Sequence, residues 1–335
     1  MDMQVIISQM AVLFILIAAG YVAGKIKMLT AEGVKTLSKV VINISTPCTI
    51  MNSVLSNTSS ITGGKTASFM LIVLIAYLLY SIIALPAARI LSINPTERGN
   101  TKTGRQELQY SETSDRSPDT VNPEERNRGL YGAMIIFGNV GFMGFPITYA
   151  IFGDDSVFYV AIVNILFNML VYTVGIIMIS GDGRNVKPKV LLNATLVSSV
   201  ISFIIVFTGI SAPSVITETI KLAANINTPC AMLVIGATLA QISPKNVIAN
   251  WRLYPITLLK MIIIPFITWL LFKQFITDPM LLGLLVVLSG MPVAAAVAMI
   301  PIEYGGDAST ASSAVFLTTV LSTVTIPLIV YVFLL

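Results

Sequence analysis

Long uncharged apolar stretches alternate with short polar or charged segments along most of this chain. Each stretch has close to the roughly 20 residues that an α-helix needs to cross a hydrocarbon core about 30 Å thick. The pattern therefore predicts an all-α integral membrane protein with ten transmembrane helices. We number these spans 1–10, at residues 4–24, 36–55, 66–91, 129–152, 156–180, 189–209, 214–241, 253–274, 279–302 and 308–334.

One segment, residues 93–128, departs from this pattern because it is polar and rich in Ser, Thr, Glu and Arg. Such a composition buries too little apolar area to offset the entropy lost on ordering, so we predict a disordered cytoplasmic loop. The similar sequences NPTER at 94–98 and NPEER at 122–126 indicate an insertion into one short turn. Native, regulatory and engineered origins of this insertion all stay open.

Two pairs of short motifs indicate an internal repeat. NISTPC at 43–48 matches NINTPC at 225–230, and GDDS at 153–156 matches GDAS at 306–309. The offset falls from 182 to 153 residues, so the first half has 29 additional residues, which the polar loop accounts for. Spans 1–5 and 6–10 are therefore predicted to be two inverted five-helix repeats, as in many secondary transporters. The alternative is an old duplication without a transport role.

The composition excludes most other classes of protein. Hydrophobic residues make up 55% of the chain and charged residues only 11%, whereas about a quarter of a soluble domain is charged. The chain has no histidine, the commonest general base and metal ligand, and its two cysteines cannot form a zinc site without partners. We therefore expect no enzyme activity, catalytic residue, metal or cofactor. Membrane lipid is the expected surrounding, and no nucleic-acid partner is expected.

Charge distribution predicts the orientation. Asp2 precedes the first span, whereas Lys25 and Lys27 follow it, which is the reverse of a cleavable signal peptide. With the N-terminus outside, 16 of the 20 Lys and Arg residues lie on inner loops, as the positive-inside rule requires. We predict a multi-pass protein of the plasma (cytoplasmic or inner) membrane with both termini outside.

Spans 4 and 9 contain helix-breaking residues near their centres. Span 4 has Gly138, Gly141, Gly144 and Pro146 in close succession, and span 9 has a Gly-Met-Pro sequence at 290–292. Proline lacks an N–H group, and broken helices survive in a membrane only where they line a cavity or are buried in protein. The sequence therefore predicts broken helices 4 and 9, which is a typical sign of a transporter site.

The predicted site suits an anion. Half-helix N-termini carry unpaired N–H groups and the positive end of the helix dipole, and Asn139 can donate to a carboxylate. The alternative for the glycines is close helix packing. The candidate substrate-binding residues are Asn139, Gly141, Met143, Pro146, Gly290, Met291, Ala295, Ala296 and Val297.

Four further residues are secondary candidates. Asn43 and Asn225 precede the TPC prolines by four residues, so they either line the cavity or bond to carbonyl groups that proline leaves unpaired. Asn164 shares a helix face with Asn168, a spacing that also suits interhelical hydrogen bonding. Lys260, the one charge inside a span, either snorkels to an interface or forms part of an anion path. Because no acid lies deep in a span, proton coupling has little support.

These motifs together resemble the auxin efflux carrier family. The TPC kinks of spans 2 and 7, GNVGFMGFP at 138–146, and Pro292 followed after ten intervening residues by EYGGD carry the resemblance. It covers the chain outside residues 93–128 and is closest to the bacterial organic-acid permeases of that family.

The resemblance implies a scaffold domain at 1–62 and 189–250 and a transport domain at 63–188 and 251–335. It also implies that helices 4 and 9 cross at their breaks, that the substrate carboxylate binds at this crossover, and that the transport domain moves like an elevator. Val297 stands where plant members have a second crossover proline, so this chain departs from the plant pattern at the crossover. A homodimer through the scaffold domain is a further expectation.

The resulting prediction is a secondary transporter of small organic anions, either auxin-like or malate- or malonate-like carboxylates. One alternative is a membrane sensor or receptor on a transporter scaffold. The other is a sodium-coupled carrier of a different solute.

Overall fold

The computed structural model describes residues 3–56, 63–92, 123–181, 194–208, 212–242, 247–248, 250–304 and 306–334. Across these residues the regular structure is helical, and the one β-type pairing is an isolated antiparallel bridge between Gly138 and Val293. We label the helices by the predicted spans, with two segments each for spans 4 and 9. They are α1 Met3–Lys25, α2 31–56, α3 Gly63–Ser92, α4a Pro123–Ile136, α4b Val140–Phe152, α5 Asp154–Ser180, α6 Ala194–Thr208, α7 Ser214–Ala240, α8 Leu253–Phe272, α9a Pro279–Ser289, α9b Ala295–Tyr304 and α10 Ala308–Leu334.

Several helices are suited to a lipid environment. Among the described residues five helices, α3, α5, α7, α8 and α10, are long and apolar enough to cross a membrane. On α3 the side chains of Leu78, Ile82 and Ile90 are all exposed, as expected where a helix contacts lipid rather than water. The chain therefore has the helices of a multi-pass membrane protein. Its arrangement as two inverted five-helix repeats stays a prediction.

Irregular turns precede two of the prolines that lie inside the helices. In α2 a π-turn, Val41–Ser45, comes just before Pro47, and in α8 a π-turn, Leu259–Ile263, comes just before Pro265. Because proline cannot donate the helical hydrogen bond, the preceding turn widens. The second TPC motif lies beside a one-residue interruption of α7, where the segments Ser214–Asn225 and Asn227–Ala240 meet at Ile226.

The first helix packs closely against the second segment of α7. A Cβ atom added at Gly236 would lie 1.9 Å from the carbonyl oxygen of Ile17, and one added at Gly20 would lie 2.4 Å from that of Leu233. Glycine is needed at both positions because the two backbones are nearly in contact, a common way for membrane helices to pack. α2 packs on α6 and α7, and α3 packs on α4a. The division into scaffold and transport domains stays a prediction.

Helix α4a begins earlier than the sequence analysis predicts. Residues 123–128, assigned there to the disordered loop, form its first turns, so that boundary is corrected. Pro123 is the first helical residue, where a fixed φ angle and a missing N–H group cost nothing. Residues 93–122 of the loop, and residues 189–193 at the predicted start of span 6, lie outside the described part of the chain.

Candidate functional site

The connections between the paired half-helices meet and bond to each other. The backbone N–H of Asn139 donates to the carbonyl oxygen of Pro292 at 2.7 Å, and that of Ala294 donates to the carbonyl oxygen of Phe137 at 3.0 Å. The N–H of Val293 donates to the hydroxyl group of Thr318 on α10 at 3.0 Å. Polar backbone groups that the interruptions free are therefore satisfied inside the protein, as buried backbone requires.

Asn139 forms the start of α4b. Its backbone has φ −76° and ψ 67°, and its side-chain oxygen accepts a hydrogen bond from the N–H of Phe142 at 3.1 Å. This is the geometry of a helix N-cap, which asparagine favours. Because the cap uses the side-chain oxygen, the amide NH₂ group is the part of Asn139 that can donate to a ligand.

A cavity of about 310 Å³ adjoins the N-terminal ends of both second half-helices. Asn139, Gly141 and Phe142 line it from α4b, and 294–296 line it from the start of α9b. Helix N-termini carry partial positive charge and N–H groups without intrahelical acceptors. The other lining residues are Val41, Ile42 and Thr46 of α2, Asn164, Phe167, Asn168 and Tyr172 of α5, and Met299, Ile300 and Tyr304 of α9b.

The cavity lining combines neutral polar groups with a larger apolar surface. No Lys, Arg, Asp or Glu is among the described residues that line it. Asn164 is buried, and the side-chain amide of Asn168 donates to the backbone carbonyl of Asn164 at 2.8 Å, a bond within α5 rather than between helices. The predicted interhelical bonding therefore does not apply to Asn168. Such a lining can hold one small molecule with a polar end and an apolar body.

Five of the predicted residues line this cavity: Asn139, Gly141, Asn164, Ala295 and Ala296. Others point elsewhere, because the rotation of each half-helix turns neighbouring side chains to different sides. The side chains of Met143, Pro146, Met291 and Val297 are buried in the surrounding packing. Gly290 contacts α8 and α10, where an added Cβ would lie 2.5 Å from Ile329 Cδ1.

The asparagines before the TPC prolines do not reach the cavity. Asn43 is exposed, and its side-chain amide donates to the carbonyl oxygen of Lys39 at 2.9 Å. Asn225 is also exposed, at the end of the first α7 segment. Their predicted cavity-lining role is therefore corrected. For Asn43 the structure instead shows the other predicted role, a hydrogen bond to a carbonyl group of its own helix.

Sequence analysis missed the residue that joins the two TPC motifs. Asn227 is buried, and its side-chain oxygen accepts a hydrogen bond from the hydroxyl of Thr46 at 3.0 Å. Thr46 in turn lines the cavity. The available signal was the single mismatch between NISTPC and NINTPC, because Asn227 stands where the first repeat has Ser45.

The sequence also carried a signal for part of the α5 lining. Asn164, Asn168 and Tyr172 recur every four residues and therefore share one helix face. The aromatic lining residues Phe142 and Phe167 had no such signal, because an apolar residue in a membrane helix faces lipid, core or cavity with the same sequence pattern.

Lys260 lies on the other side of the crossing. Its side chain is only 1% exposed, so it does not snorkel to an interface. It does not line the cavity of about 310 Å³, which we call the larger cavity below. Its Nζ donates to the carbonyl oxygen of Ile136 at 3.4 Å. It lines a second, small cavity of about 20 Å³ together with Tyr77, Tyr80 and Ser289. The snorkelling interpretation is therefore wrong.

Comparison with known proteins adds two findings. A family model described as membrane transport protein matches residues 5–101, 119–190 and 183–330. An uncharacterized transporter of Methanocaldococcus jannaschii is 23% identical over 326 residues, which cover 95% of each chain. The family match omits residues 102–118, in the middle of the polar segment.

Proposed function

We propose, from the premise that this chain belongs to the membrane transport protein family, the family of the auxin efflux carriers, that it is a secondary transporter of small organic anions. The family match confirms the resemblance seen in the sequence, and membership makes the chain a multi-pass membrane transporter. One observation carries the proposal of an anion. Two half-helix N-termini and the Asn139 side chain border one cavity whose described lining has no charged side chain.

The electrostatics of this cavity favour a negative ligand. Each helix N-terminus is equivalent to about half a positive charge, and its first N–H groups lack acceptors within the helix. A carboxylate can accept from the Asn139 amide and from N–H groups at these ends other than that of Phe142, which already donates to Asn139 Oδ1, through charge-assisted hydrogen bonds. A cation would instead meet two positive helix ends and no carboxylate among the described lining residues.

The apolar part of the lining narrows the substrate class. Phe142, Phe167 and Met299 border the cavity, so the body of the ligand contacts aromatic and aliphatic side chains. A second carboxylate would lose its hydration against these side chains without a cation to compensate, which is costly. Of the two classes predicted from sequence, auxin-like monocarboxylates with an apolar body therefore fit better than malate- or malonate-like dicarboxylates.

The position of the cavity supports an elevator mechanism. Val41, Ile42 and Thr46 of α2 belong to the predicted scaffold domain, whereas the other lining residues belong to the predicted transport domain. A ligand bound at the crossing would move with α4, α5 and α9 when these slide past α2. Such movement about a site between two repeats is the usual basis of alternating access in secondary transporters.

Uptake into proteoliposomes tests this function. Purified protein is reconstituted and offered a panel of radiolabelled carboxylates: aromatic and aliphatic monocarboxylates, malate and malonate, with an organic cation of similar size as control. We expect saturable uptake of at least one apolar monocarboxylate, slower uptake of dicarboxylates and none of the cation. Uptake of the cation alone, or of no carboxylate, would contradict the proposal.

A further inference from the structure

Lys260 is a buried lysine without a carboxylate partner among the described residues that surround it. The small cavity beside it is lined by apolar side chains, by the hydroxyl-bearing Tyr77, Tyr80 and Ser289, and by Ile136 and Leu288 at helix ends. Its volume of about 20 Å³ exceeds the roughly 10–15 Å³ that a water molecule needs. A buried ammonium group is costly unless something compensates its charge.

The compensating groups are the ends of two helices. Ile136 is the last residue of α4a, and its carbonyl oxygen accepts from Lys260 Nζ at 3.4 Å. Leu288 and Ser289, the last residues of α9a, border the same small cavity. A helix C-terminus is equivalent to about half a negative charge. Two such ends together balance roughly one positive charge.

The crossing therefore has two electrostatically opposite sides. The N-termini of α4b and α9b border the larger cavity, and the C-termini of α4a and α9a border the small one, which Val140 of α4b also lines. Gly138 separates them: a Cβ atom at this residue would lie 3.2 Å from Lys260 Nζ, and the next residue, Asn139, lines the larger cavity. The Lys260 amine thus lies next to Gly138, on the opposite side of the crossing from the place where we propose that the anion binds.

In cation-coupled carriers with broken helices, unwound carbonyl groups and half-helix C-termini are the groups that bind the coupling ion. We propose that the Lys260 ammonium group is a tethered substitute for such an ion. It occupies the cation position at the two C-termini permanently, so the carrier binds and moves its anion without sodium. The effect on transport rests on the proposed function. The assignment of a cation position at the two helix C-termini does not.

The first test uses the unaltered protein. Uptake of the preferred monocarboxylate is measured in sodium chloride and in N-methylglucamine chloride of equal ionic strength. We expect rates that agree within about twofold. Strong stimulation by sodium, about tenfold or more, would show that an inorganic cation is required and would overturn the proposal.

The second test empties the position. Lys260→Ala keeps the Cβ atom and removes Cγ, Cδ, Cε and Nζ of the side chain. Propylammonium has the same three carbon atoms and one nitrogen atom. We expect uptake to fall about tenfold or more because two helix ends lose their charge partner, and we expect propylammonium or sodium to restore part of it. Lys221→Ala, which removes an exposed lysine of α7, is the control and should behave like the unaltered protein.

A binding measurement separates this inference from the proposed function. In detergent, propylammonium should raise the unfolding temperature of Lys260→Ala by about 2–4 °C more than choline does, because a ligand of the folded state stabilises it. The unaltered protein and Lys221→Ala should show no such difference. If no carboxylate is taken up by any variant, the proposed function fails while this measurement still decides the cation position. A Lys260→Ala variant that transports normally, or that gains nothing from either cation, would refute the substitution.

Discussion

The backbone N–H of Asn139 and the carbonyl oxygen of Pro292 form a 2.7 Å hydrogen bond that connects the interruption of α4 to the interruption of α9. Because each residue belongs to a different half of the chain, the bond ties the two halves together at the place where their helices are discontinuous. The geometry of the larger cavity and of the Lys260 cavity depends on the same short connections. A change in one connection is therefore expected to affect both cavities.

The side chain of Asn139 is predicted to have two separable roles. Asn139→Ala removes the N-cap of α4b, which is worth about 0.5–2 kcal/mol, and a donor to a charged group, worth about 1.5–3 kcal/mol. We expect uptake to fall by at least about tenfold and the unfolding temperature to drop by a few degrees. Asn139→Asp caps a helix equally well but repels an anion, so it should lose uptake while retaining stability.

Asn225→Ala provides the matched control, because Asn225 is exposed and does not line the cavity. Its uptake and unfolding temperature should equal those of the unaltered protein. Normal uptake by Asn139→Asp would remove Asn139 from the anion site, whatever its effect on stability.

Gly138 is predicted to tolerate no larger residue. A Cβ atom there would lie 3.2 Å from Lys260 Nζ and 3.3 Å from the Cβ atom of Met291, so Gly138→Ala forces one of them to move. Overpacking of this kind typically costs about 1–3 kcal/mol. We expect a lower unfolding temperature and slower uptake, measured by thermal denaturation and by proteoliposome assay.

Gly64→Ala is the comparison for this variant, since a Cβ atom at Gly64 would meet nothing within 4 Å. It should leave both measurements unchanged. If the two alanine variants behaved alike, Gly138 would not be a close contact between the crossing and Lys260.

The helices and the site differed in how far sequence could predict them. Apolar length and the concentration of Gly and Pro near Gly138 and Pro292 mark helix positions and helix ends, because both follow from local chemistry. Which side chain enters the cavity does not, since it depends on the rotation of each half-helix in its packing. Phe142 lines the cavity whereas its neighbour Met143 is fully buried, and both are apolar residues of the same motif.

Lys260 illustrates a second limit of sequence analysis. Its position in the sequence, well inside span 8, showed that a charged residue lies within a span. The groups that we propose compensate its charge lie 124 residues away at Ile136 and at the end of α9a. A helix terminus is not a residue type, so it leaves no direct mark in a sequence. Only the packing of α8 against the crossing identifies the partner.

Residues 102–118 are predicted to be dispensable for transport. They lie outside the family match, whereas the flanking residues lie inside it. A deletion confined to 102–118 leaves the first turns of α4a, which begin at Pro123, untouched. We expect uptake within about twofold of the full chain, because a polar insertion of this kind contributes little to packing. Loss of uptake in a deletion variant that still folds would instead make this segment regulatory.

Transport is predicted to be voltage-dependent only when the carrier returns empty. A transport domain that contains the Lys260 ammonium and one monocarboxylate has no net charge at the crossing, whereas the empty domain has one positive charge. Exchange of internal for external substrate uses only the loaded form, so an imposed potential should not change its rate. Net uptake also requires the empty form to return outward, against an inside-negative potential. One charge crossing a full 100 mV corresponds to about 2.3 kcal/mol, and half of that slows the return by about sevenfold.

Potassium gradients with valinomycin set the potential, and the rates of exchange and of net uptake are compared in the same vesicles. An exchange rate that follows the potential would mean that Lys260 does not travel with the anion as a charged group.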